Sequence, residues 1–278
     1  APSSSATGGL WDSKASLMNY DMVLLSCEGA ETYNAAPANL EEYLNAGGRV
    51  FGSHFHYAWF SGPISSSQSY SAPSDWGSNL STWQAGSGGG GGGGLGGAIG
   101  GNIIQTLPGG GVFPKGQALH TWLQGVGGLG TDGVPAGELA VYQPKHNSDV
   151  SASNKPSQAW ISADSSSGMS GATLYFSFDT PVNATIDADS GVPNYCGRAV
   201  FSDLHVGGAS STNDTVNGSG GIFGGGGGGT PPPGGCDNVD LSAQEKALEF
   251  MLFDLSSCVI PDSVVPVTPP VDDAGGIH

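Results

Sequence analysis

Apolar positions in this chain fall into short runs and stripes, set apart by glycine, serine and proline. In YDMVLLSCEG, the apolar run Met22–Leu25 continues through Ser26 into a glycine turn, the pattern of a buried strand over 22–26. In APANLEEYLNAGG, Leu40, Tyr43 and Leu44 share one helical face, and Gly47-Gly48 supply a stop. RVFGSH at 49–54 reads as the next strand. Strand, helix and strand with short connections make the unit of a parallel sheet covered by helices. A short helix is expected within 11–19, a helix over 115–124, and strands over 137–144, 157–163, 172–182 and 196–206. The clearest helix lies near the end. Ser242 and Glu245 have capping-box spacing, and Leu248, Met251, Leu252 and Leu255 form an i, i+3, i+4, i+7 stripe.

Between these elements the patterning weakens. Residues 61–87 are rich in serine, proline and tryptophan, and glycine fills 88–94 and 224–229, the second run leading into Pro231, Pro232 and Pro233. Such tracts read either as spacers or long loops, or as three-fold polyglycine helices of polyproline II type packed side by side. The organisation expected is one α/β domain over 1–260, with glycine-rich insertions at about 61–112 and 207–235, and a proline-rich tail or linker over 261–278. GLGGAIGGN follows a glycine tract rather than a strand, so it is not read as a dinucleotide fingerprint.

Composition narrows the partners. Asp and Glu number 24 against 7 Lys and Arg, a net charge of −17, which repels nucleic acid and anionic membrane surfaces. No apolar run reaches the ~18–20 residues that span a bilayer. Four cysteines in an acidic, Ser/Thr/Gly-rich chain favour an exported or cell-surface protein with two disulfides; four buried free thiols are the alternative. Glycosylation triplets begin at Asn79, Asn183, Asn213 and Asn217.

YDMVLLSCEG, LEEYLNAGGRVFGSHFHYAWF, YFSFDTPV, CGRAVFSDLHV and LSAQEKALEFMLFDLSSCV together resemble a group of exported proteins of myxobacterial type. These in turn resemble the trehalose-utilisation-type (ThuA-like) branch of the class I glutamine-amidotransferase-like superfamily. The motifs are Tyr20-Asp21, the Leu-x-x-Tyr-x-x-x-Gly-Gly of 40–48, Gly52-Ser53-His54, and Gly197-Arg198-Ala199-Val200-Phe201 followed by His205. The resemblance covers roughly 11–60 and 113–260. It implies a flavodoxin-like, mostly parallel sheet flanked by helices. Two departures stand out. Where amidotransferases place a cysteine nucleophile, this chain has His54, so thiolate hydrolysis of glutamine is not supported. The superfamily also opens with a central strand, and residues 1–19 hold no apolar run to supply it, so self-association or another chain is expected to complete the sheet.

In a parallel α/β sheet the strand C-termini share one rim, where ligands bind. That rim should collect Glu28, His54, His56, Asp203 and His205. His54, His56 and His205 with a carboxylate would suit a divalent metal such as zinc. A His–carboxylate pair drawn from His54, His205, Glu28 and Asp203 would suit acid–base catalysis. The alternative is a hydrogen-bonded remnant of an ancestral site. His120 and His146 read as surface residues, and Ser53 lacks the G-x-S-x-G frame of a nucleophile. The same topology pairs the cysteines. A helix of ~15 residues is ~22 Å long, which separates Cys236 from Cys258 and leaves Cys27–Cys236 and Cys196–Cys258. Two functions follow: a catalytically degenerate domain used for assembly or binding in an extracellular structure, or a metal-dependent or acid–base hydrolase at His54, His56 and His205.

Overall fold

The computed structural model describes residues 9–25, 31, 36–64, 71–84, 98–169, 171–204 and 240–266. Both glycine runs, with Cys27, Glu28, His205 and Cys236, lie outside the described residues. Among the described residues, nine strands and five α-helices follow in chain order: α1 (Lys14–Leu17), β1 (Met22–Leu25), α2 (Pro37–Asn45), β2 (Arg49–Ser53), α3 (Ala58–Ser61), β3 (Thr82–Trp83), β4 (Ile99–Ile103), α4 (Pro114–Gly125), β5 (Glu138–Val141), β6 (Ser148–Asp149), β7 (Ser157–Ala163), β8 (Thr173–Thr180), β9 (Gly197–Ser202) and α5 (Ala243–Ser256).

Seven strands form one sheet in the order β1-β2-β9-β8-β7-β4-β5, and β3 pairs with β6 in a separate two-stranded ribbon. The β1–β2 and β2–β9 pairs are parallel. Every other pair in the sheet is antiparallel. The α/β class therefore stands, but the sheet is mixed, and the expectation of a mostly parallel one is corrected. The reason lies in the connections: β7 and β8 are joined by a turn too short for the helical crossover that parallel neighbours require.

Alternation along the strands feeds two cores. In β9, Val200 joins one core with Met251 and Leu255 of α5 and Leu119 and Leu123 of α4. Ala199 and Phe201 point into the other, with Leu40, Tyr43 and Leu44 of α2 and the ring stack of Phe60, Trp76 and Phe178. The anticipated face of α2 is the buried one. It ends as its glycines dictate: Gly47 sits at φ 108°, and the N–H groups of Gly47 and Gly48 donate to the carbonyls of Leu44 and Tyr43 at 2.9 Å. The capping box of α5 forms, with Glu245 N donating to Ser242 Oγ at 3.3 Å and Ser242 N donating to Glu245 Oε2 at 2.7 Å. Its buried stripe is Ala247, Met251 and Leu255, rotated from the expected one, so that Leu248 and Leu252 are only partly covered.

Strand β4 occupies IGGNI, a stretch that reads as loop. A Cβ on Gly100 would fall 1.7 Å from Glu138 Oε2, and one on Gly101 would fall 3.1 Å from both Ile161 and Val141. Neighbouring side chains occupy that space, so a larger residue at either position would have to push Glu138, Ile161 or Val141 aside.

β1 pairs directly with β2, and β2 with β9, so the expected vacancy at a central strand position is not found among the described residues. Among the described residues β1 is an edge strand, and Met18, Tyr20 and Leu24 beside it are 47%, 53% and 55% exposed.

Candidate functional site at the strand C-terminal rim

β2 and β9 run parallel with Ser53 opposite Ser202, so the next residues, His54 and Asp203, leave the sheet side by side. The extended backbone of Ser53 turns abruptly at His54, whose φ is 47°, and continues as a 3-10 turn (His54–Tyr57) into α3. A left-handed non-glycine residue costs on the order of 1–3 kcal/mol and is characteristic of functional elbows. Here the elbow is packed shut. His54 and His56 are 2% and 3% exposed. The His56 ring lies 6.1 Å from Trp59, the Tyr57 hydroxyl donates to the Glu31 carboxylate, and the Tyr57 ring stacks 6.4 Å from Trp83.

Asp203 is fully buried. Its Oδ2 accepts from Asn147 N at 2.8 Å and from Ser148 Oγ at 3.5 Å, and its carbonyl accepts from Lys145 N at 2.9 Å. Oδ1 meets no hydrogen-bond partner among the described residues. Burial pushes this carboxyl up to about 8, against the opposing pull of the Asn147 and Ser148 donors. Near neutral pH it is mainly a neutral acid that pins the 144–149 segment to the end of β9. A neutral carboxyl with one oxygen committed to the backbone is a poor metal ligand. Of the expected metal set, the structure brings His54, His56 and Asp203 to the rim, while His205 and Glu28 lie outside the described residues. Among the described residues no three His, Cys, Asp or Glu side chains are grouped to hold a metal ion.

The 144–149 segment carries a cluster that the sequence does not announce. His146 Nε2 lies 2.7 Å from Asp149 Oδ1, and the Gln84 amide nitrogen lies 2.8 Å from Asp149 Oδ2 and 2.9 Å from His146 Nε2. The β3–β6 ribbon brings them together, with Trp83 opposite Ser148. Reading His146 as an ordinary surface residue is thus corrected: it is partly buried in a fixed polar trio. Its only sequence signal was the His-x-x-Asp spacing, with nothing to connect it to Gln84, 62 positions earlier.

At the opposite end of the sheet, Cys196 and Cys258 are exposed free thiols, so the expected bond between them is not formed in this structure. One guanidinium nonetheless bridges Cys196 and Ser257, the residue before Cys258. Arg49 Nη1 donates to the Cys196 carbonyl at 3.0 Å and Nη2 to the Ser257 carbonyl at 3.3 Å. Cys27 and Cys236 are outside the described residues, as is any bond between them.

No helix among the described residues is long and apolar enough to cross a membrane. No family model, curated protein or solved structure matches the chain.

Proposed function

We propose that this chain is an exported or cell-surface assembly or binding domain, akin to the ThuA-like branch of the amidotransferase-like superfamily, with its catalytic elbow closed. The observation that carries the reading is the outer edge of β1, unpaired among the described residues, in a strand of the parallel half of the sheet with Leu24 exposed at its centre. An unpaired edge of this kind is a template for a strand from another chain, and proteins that must stay monomeric blunt it with charge or proline. The buried histidines agree with a rim that has ceased to admit substrate. Native mass spectrometry at micromolar concentration is expected to show self-association that Leu24→Lys abolishes without lowering the melting temperature. A wild-type monomer, unchanged by the substitution, overturns strand completion by a second copy.

Export makes a chemical prediction. With glutathione disulfide as oxidant, Cys196 and Cys258 are expected to join, the two thiols giving up two electrons and two protons as the oxidant becomes two glutathione thiols. The geometric support is Arg49, which bridges the carbonyls of Cys196 and of Ser257, the neighbour of Cys258. Peptide mapping that finds Cys27 bonded to Cys196 rejects the pairing.

The hydrolase reading with His54, His56 and His205 rests on one observation, the left-handed φ of His54 at a strand-to-helix elbow. Hydrolysis of an ester or amide that His54→Ala abolishes would establish it in place of the assembly reading.

A further inference from the structure

We propose that Gln84, His146 and Asp149 form a binding site for a divalent transition-metal cation, zinc being the natural probe. An ionised Asp149 presents only acceptors, so His146 Nε2, at 2.7 Å, must carry a proton toward it. The Gln84 amide nitrogen, 2.8 Å from the other carboxylate oxygen, is a donor as well. Those two donors then face each other at 2.9 Å. Rotating the Gln84 amide by half a turn exchanges nitrogen for oxygen at the same place. It relieves the contact with His146 but sets two acceptors against each other at Asp149. With the carboxylate ionised, every assignment leaves one repulsive contact.

A cation removes the conflict. Deprotonated Nε2, the carboxylate and the rotated amide oxygen would each aim a lone pair at a common point. Ligand atoms around tetrahedral zinc stand about 3.3 Å apart, given bonds of about 2.0–2.2 Å. The trio, now at 2.7–2.9 Å, needs to open by about 0.4–0.6 Å.

The site is also held in place. Gln84 N donates to the Asn147 carbonyl at 2.9 Å and Asn147 Nδ2 donates to the Gln84 carbonyl at 3.1 Å. Ser148 Oγ donates to the Thr173 carbonyl and Val150 N to Thr173 Oγ1, both at 2.9 Å, and Asp203 fixes Asn147 N from beneath. The ligands thus stand on braced backbone rather than on a loose surface loop, the pre-organisation a metal site requires. The side chains of His146 and Asp149 are 20% and 33% exposed, open enough for an ion to enter and for water to complete its shell. The net charge of −17 raises the local concentration of cations.

The test is calorimetric titration of the chelator-stripped full chain with zinc sulfate. One equivalent is expected to bind. His146→Ala and Asp149→Asn should each weaken binding by at least about tenfold. His54→Ala should leave it unchanged, which places the ion at the ribbon and not at the elbow. Gln84→Glu separates a metal site from a plain polar trio, because a second carboxylate beside Asp149 lowers the melting temperature without zinc and tightens zinc binding. It also carries the test if the other variants fold poorly. Absence of saturable binding, binding indifferent to His146→Ala and Asp149→Asn, loss of binding in His54→Ala, or a Gln84→Glu variant with no gain in affinity overturns the proposal.

Discussion

Replacing Arg198 by alanine is expected to destabilise the fold by about 3–5 kcal/mol, the largest effect of any single substitution considered for this chain. Its side chain is 1% exposed and is spent entirely on carboxylates. Nε and Nη2 grip both oxygens of Asp179 at 2.7 and 3.1 Å, Nη1 holds Asp254 at 2.7 Å, and Nη2 also reaches Asp262 at 2.9 Å. Asp179 lies opposite Arg198 on β8, Asp254 belongs to α5, and Asp262 follows that helix. One guanidinium therefore ties β8, β9, α5 and the segment beyond it. From α4, Lys115 Nζ adds a cation 2.8 Å from Asp254 Oδ1, an ion pair without hydrogen-bond alignment. Burial alone would depress the Arg198 guanidinium, but Asp179 and Asp262 outweigh it and hold it above its ordinary value. Alanine would leave three carboxylates facing one another, with Lys115 beside Asp254 and the more distant Arg49 near Asp179 left to balance them. Urea unfolding measures the loss, and a change below about 1 kcal/mol would mean that the cluster relaxes into water. The loss should shrink under acid conditions, because the orphaned carboxyls then take up protons. Arg198→Lys should fall between, keeping the charge but not the planar fork.

Asp203 makes the second large prediction, in pH. Its folded value, about 8, lies above the ordinary 3.8 of an unfolded aspartate, so across that interval the folded protein holds a proton that the unfolded chain has released. Stability from this residue is therefore greatest at or below the ordinary value. It falls as pH rises through the interval at up to about 1.4 kcal/mol per pH unit, and levels off above the folded value. Asp203→Asn removes the titrating group while keeping an oxygen to accept from Asn147 N. Chemical unfolding of the two proteins across pH 5 to 7 is expected to show the wild type losing ground to the variant by about 2–3 kcal/mol in total. Parallel stability curves would mean that Asp203 is ionised in the folded protein.

Glycine and capping chemistry made several elements readable before any contact was known. Gly47-Gly48 end α2, Ser242 and Glu245 start α5, and the apolar runs of β2, β8 and β9 stand where their residues imply. These signals act over a few residues, which is why a linear chain displays them. The rim was partly legible in the same way: strands β2 and β9 end at neighbouring positions, and His54 and Asp203 follow.

The remainder was decided in three dimensions. The directions of β8, β7 and β4 depend on which strands pair, and no local pattern records that. Strand β4 is invisible because Gly100 and Gly101 carry no apolar signal, although the side chains of Glu138, Ile161 and Val141 crowd the space around them. The stripe of α5 turned toward Ala247 because the sheet beneath sets the angle at which the helix settles. His146 and Gln84 met only because β3 paired with β6. Caps and periodicity are properties of neighbours along the chain, whereas strand pairing, close approach and the meeting of distant polar groups exist only once the chain has closed on itself.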